Sequence, residues 1–124
     1  MYNQKVIDEF NNPCNVGVIE NADGVGEAGG ASCGDIMKVS LKIENDVIID
    51  AKFQTFGCAA AIATSSVATR KVIGMTVSEA LEFTNKQVID ELGGLPQVKM
   101  HCSVLAEEAL HEAIKDYLTK RVST

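Results

Sequence analysis

Apolar and polar positions alternate most cleanly in two neighbouring stretches. In "IMKVSLKI" (36–43), Met37, Val39, Leu41 and Ile43 alternate with Lys38, Ser40 and Lys42. In "VIIDAKF" (47–53), Val47, Ile49, Ala51 and Phe53 alternate with Ile48, Asp50 and Lys52. A period of two predicts half-buried strands. Asn45 and Asp46 between them tolerate the left-handed backbone of a tight turn, so the strands pair as an antiparallel hairpin. Elsewhere the period is helical. Val6, Ile7 and Phe10 predict a short helix over 2–10, which "NNP" at 11–13 ends because proline disfavours a helical residue before it. The alanine-rich "AAAIATSSVATRKVIG" predicts a helix whose N-terminus lies at Cys58 and which closes on Arg70, Lys71 and Gly74. "TVSE" (76–79) and "TNKQ" (84–87) fit the capping box and start two short helices, running toward Phe83 and Leu92. "GGLPQ" then breaks the chain, and Leu110, Ile114 and Tyr117 mark one face of a last helix from about Ser103 to Thr119. Helix, strands, then helices predict an α+β fold, a small antiparallel sheet packed against several helices.

Between the first helix and the hairpin, residues 15–32 are rich in glycine and small side chains. "GVGEAGG" (24–30) formally matches the dinucleotide fingerprint G-x-G-x-x-G. That motif works only between a strand and a helix whose N–H groups hold a pyrophosphate, and here a strand follows, so the match is rejected. The stretch is expected to be a mobile loop or an irregular edge strand, since glycine makes backbone rearrangement sterically easy.

A chain of 124 residues with 46% hydrophobic content is the size of one domain, 1–124, with enough apolar side chains for a core. The net charge of −6, without a basic block, argues against nucleic acid as a direct partner. No segment approaches the roughly 18 uninterrupted apolar residues of a membrane span, and charged residues interrupt the N-terminus, so a cytoplasmic location is expected. In a reducing compartment the four cysteines, Cys14, Cys33, Cys58 and Cys102, point to metal or sulfur chemistry rather than cross-linking.

Cys33 and Asp35 flank Gly34, and residues two apart share one side of a strand if the strand already begins there. Cys58 and the adjacent His101 and Cys102 sit where helices are expected to begin, and unsatisfied N–H groups at such a mouth stabilise a thiolate. The spacing is not that of a C-x-x-C knuckle. Taken singly, each cysteine fits packing as well as function, His101 fits a surface or capping role, and Asp35 fits a solvated carboxylate.

At "GGASCGDIMKVSLKI", "FQTFGCAAAIATSS" and "LPQVKMHCSVLAEEA" the sequence closely resembles IscU, the scaffold family on which iron-sulfur clusters are assembled, also seen as the N-terminal domain of NifU. The resemblance runs from "YNQKVIDEFNNP" to "AIKDYL". It implies the IscU/NifU-like fold and an assembly scaffold rather than an enzyme. By position it places the cluster cysteines at Cys33, Cys58 and Cys102, the characteristic aspartate at Asp35 and the histidine at His101. It further implies a 2Fe-2S cluster, a cysteine desulfurase as sulfur donor, and apo-proteins such as ferredoxin as recipients. Leu95–Lys99, "LPQVK", stands where bacterial relatives carry L-P-P-V-K for an Hsp70-type chaperone, and Gln97 is a departure from that motif. Cys14 has no role in the family pattern and is expected to pack or stand as a free thiol.

Three thiolates suit cluster iron, whereas a carboxylate or imidazole is a poorer fourth ligand, so Asp35 or His101 is expected to make the cluster labile and releasable. Cys102, with His101 beside it and a helix mouth beneath it, is the expected persulfide acceptor. The alternative is a zinc-dependent, SufU-like sulfur carrier using the same donors. That family typically has an insertion between its second and third cysteines, and the span from Cys58 to Cys102 reads as uninterrupted. Monomer and homodimer both remain open.

Overall fold

The computed structural model describes residues 3–29, 36–57, 59–97 and 100–123. The elements run α1 (Gln4–Asn11), β1 (Gly24–Gly29), β2 (Ile36–Glu44), β3 (Val47–Phe56), α2 (Ala59–Val72), α3 (Val77–Leu81), α4 (Asn85–Leu92) and α5 (Met100–Ser123). The strands form one antiparallel sheet in the order β1-β2-β3, so the α+β expectation holds.

The hairpin forms where the alternation predicts it, with Asn45 and Asp46 both left-handed at φ 52° and 62°. Its inward set differs at one point. The pairing slips between Lys42 and Ile43, so that Lys42 faces Asp50 while Ile43 faces Ile48, and Ile49 is the extra residue of a β-bulge. Ile48 is therefore fully buried and Ile49 is 45% exposed, the reverse of the expected alternation. Inward from this point, Leu41 faces Ala51 and Val39 faces Phe53 across the ladder, all buried.

The glycine-rich stretch is a regular edge strand over its described part. Gly24, Gly26 and Ala28 face α5, and a Cβ added at Gly26 would overlap the backbone of Ala109 and Ala113. Glycine is required there because the helix lies directly on the strand. On the helix side the contact face is small as well, with Ala106, Ala109 and Ala113 buried beside Leu105, Leu110 and Ile114. Asp116 of α5 closes this contact, its Oδ2 accepting from Val25 N–H at 2.9 Å. The expectation of a mobile loop is thus corrected for 24–29 by pairing on one edge and helix packing on one face.

α2 begins at Ala59 and α5 covers more chain than expected, Met100–Ser123 instead of 103–119. Both short helices start at the expected caps. Thr76 accepts from Glu79 N–H while the Glu79 carboxylate accepts from Thr76 N–H, and Gln87 Oε1 accepts from Thr84 N–H at 2.9 Å. Left-handed Gly93 ends α4 at φ 73°. α1 starts two residues later than expected, capped by Asn3, and buries Val6 alone. Glu9 at its far end is held by Ser66 and by Arg70, whose guanidinium lies 2.8 Å away and also reaches Glu91 of α4 at 3.8 Å.

Candidate functional site

The described part of the site is the first turn of α5. His101 and Cys102 are inside the helix, not in front of it, because the helix starts at Met100. Consecutive residues on a helix point about 100° apart, which sends His101 outward and Cys102 into the core: His101 is exposed and Cys102 is fully buried. The two still meet, with Cys102 Sγ 3.7 Å from His101 Nε2. Cys102 is a packed thiol as well as a member of the expected donor set. The sequence reading of a thiolate at the helix mouth is corrected to a buried thiol inside the first turn.

Supporting polar groups fix the turn. Ser103 Oγ donates to Met100 O at 2.7 Å and accepts from Asn85 Nδ2 at 3.2 Å, while Glu107 Oε1 accepts Asn85 N–H at 2.7 Å. The start of α4 is thereby bonded to the start of α5. Thr64 of α2 bonds Ala60 O at 2.8 Å and lies 3.4 Å from Cys102 O, so the N-terminal half of α2 flanks the same turn. Nothing in the periodicity marks Thr64, Asn85 or Ser103 as members of this cluster. Their roles come from packing between helices distant in sequence.

Cys33, Asp35 and Cys58 lie outside the described residues, and so do Val98 and Lys99 of the "LPQVK" stretch. Their described neighbours have defined places. Ile36, the residue after Asp35, is paired with Phe56, two residues before Cys58. Met37 Sδ accepts from Ser65 Oγ of α2 at 2.9 Å, one residue beyond Thr64, which flanks Cys102. The chain flanks of all five expected donors therefore leave one end of the sheet and its helical layer. Among the described residues no group of three or more His, Cys, Asp and Glu side chains is arranged to hold a metal ion. Cys14 is exposed, with its backbone N–H on Ser66 Oγ at 2.8 Å.

A three-stranded antiparallel sheet under a helical layer, with a Cys-His pair in the first turn of the longest described helix, defines a small α+β domain. The chain belongs to the NifU-like N terminal domain family, which matches residues 1–124. It is 58% identical over 120 residues to the iron-sulfur cluster assembly scaffold protein IscU 1 of Archaeoglobus fulgidus, covering 97% of this chain and 78% of that protein. It is 54% identical over 122 residues to the iron-sulfur cluster assembly scaffold protein IscU of Aquifex aeolicus, with the same two coverages, 97% and 78%. Among solved structures, the iron-sulfur cluster assembly scaffold protein for the SUF system (SufU) of Fervidobacterium islandicum is similar at a TM-score of 0.73 and 26% identity, covering 91% of this chain and 96% of that one. The NifU-like N-terminal protein of Brucella abortus shares the fold at a TM-score of 0.74 and 23% identity, covering 95% of this chain and 94% of that one. The two IscU relatives are scaffolds for cluster assembly rather than enzymes.

Proposed function

We propose that this chain builds a 2Fe-2S cluster as its cargo on Cys33, Cys58 and Cys102, with Asp35 or His101 as the exchangeable fourth ligand, and passes it to apo-proteins. The observation that carries the reading is the contact of Cys102 Sγ with His101 Nε2, 3.7 Å apart, at the end of the fold where β2 starts and β3 finishes. Two soft donors already adjacent lower the cost of assembling a ligand set there. Thiolates hold iron-sulfur iron, and an oxygen or imidazole ligand weakens the hold enough for transfer. The names of the curated relatives support the same reading.

Sulfur would arrive as a persulfide from a cysteine desulfurase. Cys102 is our choice of acceptor, with His101 as the neighbour able to take its proton. Because Cys102 is buried, this requires the first turn of α5 to open. Recipients such as an apo-ferredoxin, a chaperone of the Hsp70 type engaging Leu95–Lys99, and a cytoplasmic location belong to the same proposal. No helix among the described residues is long and apolar enough to cross a membrane. The likeness to a SufU structure favours one second reading, zinc held by Cys33, Asp35, Cys58 and Cys102 in a persulfide carrier.

The test is anaerobic reconstitution with iron, cysteine and a cysteine desulfurase, followed by absorption spectra and iron, zinc and acid-labile sulfide per chain. Stoichiometric iron and sulfide, transferable to apo-ferredoxin, are expected. Asp35→Ala is expected to retain its cluster longer than the unaltered chain, whereas equal transfer rates would remove Asp35 from the release step. Tightly held zinc with persulfide and no cluster would establish the carrier instead. Persulfide found by mass spectrometry only on Cys33 or Cys58 would move the acceptor away from Cys102.

A further inference from the structure

Asn3 makes two kinds of contact at once. Its Oδ1 accepts from Val6 N–H at 3.0 Å and caps α1, while its Nδ2 donates to Leu92 O at 2.8 Å and Gly94 O at 3.2 Å. Those two carbonyls belong to the end of α4 and the turn after it, where Gly93 and Gly94 have φ of 73° and 108° and the chain heads toward α5. A helix end leaves its last carbonyls without partners inside the helix. Here a side chain 89 residues away in sequence supplies one.

α1 is an element that can leave. It has 8 residues, too few to be stable alone, buries only Val6, and leaves Ile7 and Phe10 about 40% exposed. It is fastened at its first end by Asn3 and at its last by the Glu9 contacts to Ser66 and Arg70.

We propose that Asn3 is a positioning residue for the ligand-bearing turn: docked α1 holds the Gly93–Gly94 turn through the Asn3 amide, and undocking of α1 loosens the approach to α5 and exposes Cys102. A partner that takes hold of α1 would thereby open the thiol. The proposal rests on the reading of Cys102 as a working thiol for its purpose, but the mechanical coupling can be measured without iron or sulfur.

The cap and the latch are separable by substitution, because aspartate and serine cap helices about as well as asparagine but have no amide to donate. Asn3→Asp, Asn3→Ser and Asn3→Ala would be compared by the alkylation rate of Cys102 in the folded chain, read by peptide mass spectrometry, with amide exchange followed across 93–97 and across β2. With two hydrogen bonds of ordinary strength removed, all three variants are expected to raise Cys102 labelling about tenfold and to speed exchange at 93–97 while β2 stays protected. If Asp and Ser label like the unaltered chain and only Ala is faster, Asn3 is a cap and nothing more, and the proposal fails. A rise matched by faster exchange in β2 would mean general destabilisation and would equally overturn it. Coupling confirmed in a chain that builds no cluster would leave the latch standing and refute the scaffold reading alone.

Discussion

Gly26 shows how far one missing side chain reaches. A methyl group there would overlap the backbone of α5 at Ala109 and Ala113, which cannot rotate away as a side-chain tip would. Gly26→Ala is expected to destabilise the chain by about 1–3 kcal/mol through forced displacement of α5. The midpoint of urea unfolding checks it, and an unchanged midpoint would mean that helix and strand are not in contact in solution. The sequence marked Gly26 as special but suggested the wrong cause, since freedom of the backbone and close approach of a helix leave the same residue behind. Ile48 and Ile49 were misread for a related reason: two adjacent isoleucines satisfy either phase of an alternating pattern, and only the bulge decides between them. His101 and Cys102 were legible as a pair because the chemistry lies in adjacent letters. The burial of Cys102 was not, because it depends on where the helix starts relative to its neighbours.

At the scale of elements, the hairpin and both capped helices were readable because each is specified within a few residues. β1 was readable only as one of two alternatives, a loop or an irregular edge strand, because its order comes from α5, far along the chain. Asp116 makes the pairing of these two elements sensitive to acid. The hydrogen bond from Val25 N–H and then the contact with Lys120 hold its carboxyl below the usual aspartate range. A carboxylate with a lowered folded pKa adds stability that is present above its unfolded pKa and is lost as pH falls through the folded one. Acidification through and below the ordinary carboxylate range is therefore expected to loosen β1 from α5. Asp116→Asn should flatten the pH dependence of stability in that window. An identical acid-unfolding profile in the variant would show that the Val25 contact contributes nothing.

Over the whole molecule, a single connected core joins the sheet to α2, α4 and α5, while α1 adds only Val6 to it. Amide exchange is accordingly expected to find α1 opening well before the hairpin, and simultaneous opening of the two would show that α1 is an integral part of the core. The five expected donors were legible from family resemblance as letters at fixed places. The topology adds that Ile36, next to Asp35, and Phe56, two residues before Cys58, pair at one end of the sheet.

The outer margin of β3 is occupied at both ends. Residues 15–17 bond to Phe53, with Gly17 N–H on its carbonyl at 2.8 Å, and Gly74 and Met75 bond to Ile48 at 2.7 and 2.9 Å. The opposite margin, along β1, carries the carboxylates of Glu27 and Asp116. A second copy approaching antiparallel along that margin would bring acid against acid. In the closed fold, growth of the sheet from molecule to molecule is therefore discouraged along both margins, by bonded segments on one and by the Glu27 carboxylate on the other.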